Sequence, residues 1–367
     1  MYLVVGCGLS GVVIAERIAS ILKEKVLIID RRNHIGGNVY DYQDKNGILI
    51  HKYGPHTFHT NNRKLKKYLS NFTDWHIYFH KVKAKVDGLE IPIPFNLNSL
   101  YKVFSKSYAA KLENKLIEVY GMNAKIAILD LLNDENVDIK NLSQYIYEKI
   151  FLGYTKKQWG VLPEELDKAV TSRVPIYISR DNRYFQDKYQ AVPKKGYTEM
   201  IKNMISNPLI EIQLNTDFRE VSKFTKYKKI FYTGSIDEYF DYNFGELPYR
   251  SLRFDFKTFN QEYFQSACQI NYPLSRDFTR ITEYKYFLNQ ATKKTTVSFE
   301  YPQEYIYRKN EPFYPIPKME NKNIYEKYVD LSKKEKKTIF LGRLGEYKYY
   351  NMDQVVENAI NIFRGIV

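Results

Sequence analysis

Cysteine is scarce: Cys7 and Cys268 are the only two in 367 residues, far apart and without metal-ligand spacing. A disulfide framework and a zinc ribbon are therefore excluded, and a reducing cytoplasmic setting is expected. Long uninterrupted apolar runs are lacking too. The first 22 residues are fairly apolar, but they have no basic leader and are broken by Gly6, Gly8, Glu16 and Arg17, so neither a signal peptide nor a membrane span is expected. No internal repeat or low-complexity linker is visible. Acidic residues are outnumbered, 42 against 56 basic ones, for a formal charge of +14, and 44% of residues are hydrophobic. That balance is globular and excludes long disorder, with room for roughly two to three domains.

The positive charge attracts polyanions: nucleic acid, acidic lipid or a small phosphorylated substrate. It is scattered rather than gathered in one arm, and its densest run, 333–337, reads as a solvated turn before an apolar strand. The 34 tyrosines and 22 phenylalanines read mostly as compositional habit.

What the chain does contain begins at once. Tyr2 to Val5 is β-prone, Gly6-Cys7-Gly8-Leu9-Ser10-Gly11 follows, and 12–22 has helical spacing. A second apolar run from Val26 ends at Asp30, 19 residues after Gly11, so the unit closes as βαβ. Gly6 permits the tight turn, Gly8 lets backbone approach a pyrophosphate, and Gly11 lets helix and strand pack closely. Asp30 is placed to hold a ribose hydroxyl. After Asp30 the sequence reads Arg31-Arg32-Asn33-His34-Ile35-Gly36-Gly37-Asn38, and a basic residue followed by a Gly-Gly pair suits a flavin dinucleotide better than a nicotinamide one. At the other end, 338–341 reads as a strand leading to Gly342-Arg343. An amphipathic helix over 353–363 follows, its N-terminus able to face a flavin. A cofactor domain built from both chain ends is implied.

The middle reads as insertions. Helical patterns over 101–105, 110–120, 124–132 and 142–151 predict a helical subdomain; alternation from Val174 onward, with 251–256, 280–287 and 295–301, predicts antiparallel strands. The run 229–233 before Gly234 reads as a buried strand returning to the cofactor domain. The fold class expected is α/β: an FAD-binding Rossmann-like domain (1–80, 189–240, 315–367), an inserted helical domain (93–172) and an antiparallel sheet domain (81–92, 173–188, 241–314).

All six histidines lie between His34 and His80, three of them in 51–60. His56-x-x-His59 has no Cys or nearby carboxylate for a metal site, and a glycine-turn loop placing imidazoles beside a cofactor fits better; no metal is expected. Downstream, Tyr154, Trp159, Arg173, Tyr184, Arg250, Arg280, Tyr314, Arg343 and Tyr349 interrupt apolar strands and turns. Together they suit a cleft in which arginine forks bind a pyrophosphate and tyrosine hydroxyls finish the bonding, as a nucleotide-sugar requires.

These motifs carry a family resemblance. Gly6-x-Gly8-x-x-Gly11, Arg32-Asn33-His34-Ile35-Gly36-Gly37-Asn38, His51-Lys52-Tyr53-Gly54-x-His56-x-Phe58-His59-Thr60, Gly153-Tyr154-Thr155-x-Lys157-Gln158-Trp159-Gly160, Tyr239-Phe240-Asp241-Tyr242, Tyr249-Arg250-Ser251-Leu252 and Gly342-Arg343-Leu344-x-Glu346-Tyr347-Lys348-Tyr349-Tyr350 together resemble the bacterial UDP-galactopyranose mutases nearly end to end. The resemblance implies a homodimeric FAD enzyme, active with reduced flavin, that interconverts the pyranose and furanose rings of UDP-galactose for cell-surface polysaccharide. In that family's mechanism N5 of the reduced flavin attacks the sugar C1 and displaces UDP. It implies that Arg173, Arg280 and His59 serve catalysis, with Arg280 neutralising departing UDP. Tyr184, Tyr314 and Tyr349 would donate to the phosphates, Phe151, Tyr154, Thr155 and Trp159 would shape the uridine end, and Arg250 and Glu300 stand behind them. On the cofactor side it implies Gly6, Gly8, Ser10, Gly11, Asp30, Arg31, Gly37, Asn38, His56, Thr57, Arg343, Met352 and Gln354. His80 stands where many bacterial members have Asn beside the substrate, Asn351 replaces a usual Asp, and Pro55 and Thr57 replace smaller or aliphatic residues. These departures predict tolerance at C2, with UDP-N-acetylgalactosamine accepted alongside UDP-galactose.

Two rivals differ in kind. An amine-oxidase-like redox flavoenzyme shares the N-terminal half of the fingerprint and would consume oxygen. A nucleic-acid binder using the charge and aromatics would bind oligonucleotides with steep salt dependence and hold no flavin; no nucleic-acid partner is expected. A loop between Trp159 and Arg173 is expected to close over UDP.

Overall fold

The computed structural model describes residues 1–221, 227–274 and 276–366, the side chain of Ala169 excepted. The parts of 189–240, 241–314 and 315–367 that fall on residues 222–226, 275 and 367 lie outside the described residues.

Five short apolar strands form a wholly parallel sheet in the order Ile210–Gln213, Val26–Ile29, Tyr2–Val5, Ile230–Tyr232, Thr338–Phe340. Val26–Ile29 is buried along its whole length, as a strand covered on both faces must be. Helices Leu9–Arg17 and Met352–Arg364 pack together over one face, so residues from both chain ends share one core that includes Val4, Val13, Ile14, Ile28, Phe231, Val356 and Ala359. Tyr2–Val5 lies between Val26–Ile29 and Ile230–Tyr232, so the strand order reverses direction there. Gly6, Asp30 and Thr233 therefore emerge together at the carboxyl edge, where open α/β sheets bind ligands. The helix expected over 12–22 is an α-helix only to Arg17 and continues as a wider, π-type stretch over Ile18–Leu22.

A seven-stranded sheet runs Tyr314–Pro315, Tyr249–Phe259, Thr295–Glu304, Arg280–Glu283, Gln269–Asn271, Val82–Val86, Leu89–Ile93. Neighbours are antiparallel except Gln269–Asn271 and Val82–Val86, which are parallel. Its register sets Asn271, Arg280, Glu300 and Phe254 directly opposite one another in one row across four strands, and directly opposed residues share a face. The strand expected over 280–287 stops at Glu283 and tightens into a 3-10 turn over Tyr284–Phe287. A smaller sheet pairs Tyr189–Pro193 with Phe58–Thr60 and Trp75–Ile77, placing Gln190 opposite His59.

The helical layer contains Leu97–Val103, Lys106–Tyr120 and Val137–Ile146, the last running through a π-type stretch, Tyr147–Leu152, into Gly153–Trp159. Gly160, at φ +74°, ends that run. Two expectations need correction here. The pattern over 124–132 is not one helix, because Lys125–Ile126 forms a strand before the short helix Ile128–Leu131. The partner of that strand is Ile176–Tyr177, so 173–188 gives the large sheet no strand: Val174, Ile176 and Ile178 alternate because they bury against the helical core.

Candidate active site

The carboxyl edge of the parallel sheet opens into a cleft of about 470 Å³, lined by Gly6, Gly8, Ser10, Asp30, Arg31, Gly37, Asn38, His56, Arg343 and Met352 among others. Backbone spacing explains the glycines. A Cβ on Gly37 would lie 2.8 Å from the Cα of Gly8, and one on Gly11 would lie 2.1 Å from the carbonyl oxygen of Gly6. Helix Leu9–Arg17 starts at Gly8 with no side-chain cap, so its first-turn N–H groups are free of side-chain acceptors and favour an anion. Asp30 braces the turn, accepting from the N–H of Cys7 and the N–H of Arg32, both at 2.8 Å. Each oxygen keeps a further lone pair for a ribose hydroxyl. Arg31 is paired with Glu238 at 2.6 Å, and Arg32 donates to Asn38 Oδ1 at 3.0 Å. This cradle of close-packed glycines, open helix N-terminus and an acid with lone pairs to spare fits a dinucleotide.

Three sequence-derived cofactor residues stand back from the cleft lining. Gly11 is held in the helix–strand contact, Thr57 is buried in the loop beneath, and Gln354 accepts from the N–H of Asn351 at 2.8 Å, closing a capping box on helix Met352–Arg364.

A second group gathers beside the cleft. Tyr314 and Tyr349 meet edge to face at 5.1 Å between ring centres, and Trp159 lies 5.7 and 5.8 Å from them. Guanidinium groups cover these rings: Arg173 is 4.1 Å from the centre of Tyr349, and Arg343 is 4.9 Å from Tyr349 and 5.6 Å from Tyr314. Arg173 also donates to Asn351 Oδ1, tying it to the start of the C-terminal helix.

Arg280 donates Nε–H to Glu300 Oε2 at 2.7 Å, with Glu300 essentially fully buried. Among the described residues neither Nη of Arg280 has a hydrogen bond, and Glu300 Oε1 is buried without a partner. Burial opposes charge on Arg280, but the Glu300 carboxylate and the surrounding tyrosines outweigh it and hold the proton more firmly than usual. Burial also pushes Glu300 up, against the pull of Arg280. Tyr154, Tyr184 and Tyr314 are all raised, by burial first, so each stays a protonated donor. Tyr154 feels Arg280, Glu300, Tyr184 and Tyr349, which makes these side chains one cluster. Three guanidiniums against one buried carboxylate leave it positive.

The histidine loop joins the two halves. His56 lines the cleft and sits within electrostatic reach of Arg343 and Arg280. Its Nδ1 meets the carbonyl of Gly54 at 2.8 Å, and its N–H donates to His51 Nδ1 at 3.0 Å. A Cβ on Gly54 would lie 3.2 Å from Phe254 and 3.6 Å from Glu300 Oε2, so the loop lies directly against the arginine row. Burial lowers His51, His56 and His80 to about 3 each, so all three rings are neutral. His59 stacks on Phe185 at 3.6 Å and donates Nδ1–H to Asp187 at 2.7 Å, while His80 meets Tyr184 edge-on at 5.7 Å. Among the described residues no group of three or more His, Cys, Asp and Glu is placed to hold a metal ion.

Arg250 points elsewhere, to the carbonyls of Gln158 at 3.1 Å and Lys157 at 3.2 Å. Phe151 packs on the helical core, and Thr155 is buried on helix Gly153–Trp159. Sequence reasoning missed Asp187, Phe185, Glu238 and the contact of Asn351 with Arg173. None carries a local signal, because each acts through a partner distant in sequence.

Comparison with known proteins gives concordant matches. A family model for UDP-galactopyranose mutase matches residues 149–349, and one for an NAD(P)-binding Rossmann-like domain matches 4–72. A UDP-galactopyranose mutase of Mycoplasma genitalium is 37% identical over 96% of this chain and 91% of its own length. A dTDP-fucopyranose mutase of Escherichia coli is 33% identical over 98% and 96%. Among solved structures, a reduced UDP-galactopyranose mutase superposes with a TM-score of 0.76 at 13% identity, covering 100% of this chain and 93% of that one, which shows a shared fold. An oxidoreductase from Methanosarcina mazei shares the fold more loosely, with a TM-score of 0.57 at 10% identity over 99% of both chains. Among the described residues no helix is long and apolar enough to cross a membrane.

Proposed function

Because the chain belongs to the UDP-galactopyranose mutase family of flavin-dependent isomerases, we propose that it interconverts the pyranose and furanose forms of UDP-galactose with bound FAD in its reduced state. The observation that carries this reading is the convergence of Arg173, Arg280 and Arg343 on the rings of Tyr314 and Tyr349 beside a dinucleotide cradle. When bound and reduced, the flavin supplies the nucleophile for the anomeric carbon.

The residues of the chain bind, orient and neutralise. Glu300 takes the Nε–H of Arg280 and leaves its Nη groups without a partner among the described residues, free to take the pyrophosphate whose charge grows as the anomeric bond breaks. Tyr154, Tyr184, Tyr314 and Tyr349 offer O–H donors to the same phosphates, and Arg173 closes over Tyr349. Trp159, Phe151 and Thr155 form the uridine end. His56 and His59 hold the sugar side of the cleft as neutral and carboxylate-oriented rings respectively. Residues 160–172 would close over bound UDP and exclude water; Lys318 pairs with Glu165 at 2.8 Å and Lys168 with Asp130 at 2.6 Å, surface pairs weak enough to open. His80, beside Tyr184, is the residue to which we assign tolerance for an N-acetyl group at C2. The product feeds polysaccharide synthesis, and the working unit is a homodimer.

The test is anaerobic. The purified protein is reduced with dithionite and offered UDP-galactofuranose, its N-acetyl counterpart and dTDP-fucofuranose, with conversion followed by chromatography. Conversion of UDP-galactofuranose by the reduced protein alone is expected. A yellow protein that converts none of these but consumes oxygen with a substrate would overturn the reading in favour of a redox flavoenzyme. Failure with the N-acetyl sugar alone removes the C2 assignment. Sedimentation at working concentration tests the dimer.

A further inference from the structure

Lys157 lies on the helix Gly153–Trp159, but its ammonium reaches off that helix to the turn that joins Gln269–Asn271 to Arg280–Glu283. There Nζ donates to three backbone carbonyls, those of Tyr272, of Arg276 at 3.1 Å and of Phe278 at 3.2 Å. An ammonium has three donors and no acceptor, so this set uses it fully. The same helix meets the same turn at its first residue, where a Cβ on Gly153 would lie 2.5 Å from the carbonyl oxygen of Pro273. From a second strand, Arg250 donates to the carbonyls of Lys157 and Gln158, satisfying acceptors that the helix end leaves open. A helix of the helical layer is thus fastened to two parts of the seven-stranded sheet through backbone atoms, which fixes position rather than mere proximity.

We propose that Lys157 is a positioning residue: it locks the helix carrying Tyr154, Thr155 and Trp159 to the turn leading into Arg280, and so fixes the spacing between the aromatic and guanidinium sides of the cleft. This rests on the reading of that cleft as a nucleotide-sugar site. Loss of the ammonium releases three carbonyls and lets the two sides drift, which weakens binding of the nucleotide that bridges them and leaves the chemistry at the sugar nearly intact. The charged residues on the elements packed around Lys157 are Arg276 and Asp277 in the turn, Arg250, Arg253, Asp255 and Lys257 on Tyr249–Phe259, Glu300 and Glu304 on Thr295–Glu304, and Glu148 and Lys149 on Tyr147–Leu152, with Lys156 beside it on its own helix. Burial lowers the lysine to about 8, with Asp277 opposing, so the lock is charged at neutral pH and discharges above it.

The experiment titrates flavin-loaded enzyme with UDP from about pH 7 to about pH 9.5 and measures KM and kcat for UDP-galactofuranose, for wild type, Lys157→Met and Lys157→Arg. Lys157→Met is expected to weaken UDP binding and raise KM by about tenfold, with kcat within about threefold and flavin content unchanged, and Lys157→Arg is expected to restore most of the loss. Wild-type affinity for UDP should fall as pH passes about 8, while Lys157→Arg, which does not titrate there, stays flat. Wild-type UDP affinity and KM in a flavin-loaded Lys157→Met overturn the proposal and leave the cleft reading standing. Should that variant fail to hold flavin, the pH titration decides: identical pH dependence in wild type and Lys157→Arg overturns the lock. A wild-type enzyme that does not bind UDP overturns the cleft reading, and the lock with it.

Discussion

The glycine-turn cleft and the arginine–tyrosine cluster meet at His56, yet they are built in opposite ways. The cleft is a backbone device: Gly6, Gly8, Gly37 and Asp30 lie within a 32-residue stretch of chain, and their work is done by N–H groups and by the absence of Cβ atoms. The cluster is a side-chain device drawn from distant segments, with Trp159, Arg173, Arg280, Tyr314 and Tyr349 brought together only when three layers have packed. A backbone site tolerates changed neighbours and fails sharply when a methyl group enters it. A side-chain site keeps its fold when a member is lost and fails in proportion to the charge or ring removed.

Arg280→Ala should show the largest effect. On the proposed function it removes the charge that would face the departing pyrophosphate, and turnover is expected to fall by roughly a thousandfold or more while flavin stays bound. It also strands Glu300 in the core; leaving one partner of a buried pair alone costs about 3–5 kcal/mol, visible as an earlier denaturant midpoint. Arg280→Ala combined with Glu300→Gln should recover most of that stability and none of the turnover. Recovery of turnover would show that the pair serves folding alone.

Two glycine variants sharpen the contrast. A Cβ at Gly8 meets only ordinary contact, 3.8 Å from Gly37, in a backbone conformation any residue adopts. Gly8→Ala should therefore fold with stability within about 1 kcal/mol of wild type but lose flavin, because on the proposed function the added methyl would stand where the cofactor's pyrophosphate approaches. A Cβ at Gly11 strikes the carbonyl of Gly6 at 2.1 Å, so Gly11→Ala should fail to fold. Flavin retention by soluble Gly8→Ala, read from its absorbance, would show that the glycine turn does not hold the cofactor.

This difference also decides what the sequence makes legible. Gly6 to Asp30 could be read directly because strand, turn, helix and strand are contiguous and their spacing is set by local geometry. The arginines and tyrosines could be nominated but not joined, since the pairing of Arg280 with Glu300 depends on antiparallel register, and that of Arg173 with Asn351 on two segments 178 residues apart. The assignment of 173–188 to the sheet domain fails for the same reason: alternation at Val174, Ile176 and Ile178 records burial on one side but does not say which layer does the burying. Arg250 shows the limit from the other direction, because its motif marks importance while its partners are carbonyls, which no side-chain pattern encodes.

The junction itself has an acid signature. His51, His56 and His80 each take a proton near pH 6.5 when unfolded and refuse it until about pH 3 when folded. Unfolding thus takes up protons between those values, and stability is full above 6.5 and falls as pH drops toward 3. With three rings the slope reaches on the order of 4 kcal/mol per pH unit near pH 5, measured by urea unfolding across a pH series. His80→Asn should remove about a third of that slope. An unchanged slope would mean that His80 is not a buried neutral ring.

The smallest expected effect separates ring from hydroxyl at Tyr349. Tyr349→Phe keeps the aromatic face under Arg173 and Arg343 and the edge-on contact with Tyr314, and it loses one O–H donor. A neutral hydrogen bond to a charged oxygen contributes about 1.5 kcal/mol, so KM should rise roughly tenfold or less with kcat nearly unchanged. Tyr349→Leu removes the surface on which both guanidiniums rest, and because their positions depend on that ring, kcat should fall as well. If the two variants behave alike, the hydroxyl accounts for the whole of the residue's contribution, and the stacked arrangement of Arg173, Arg343 and Tyr349 is a packing solution with no bearing on turnover.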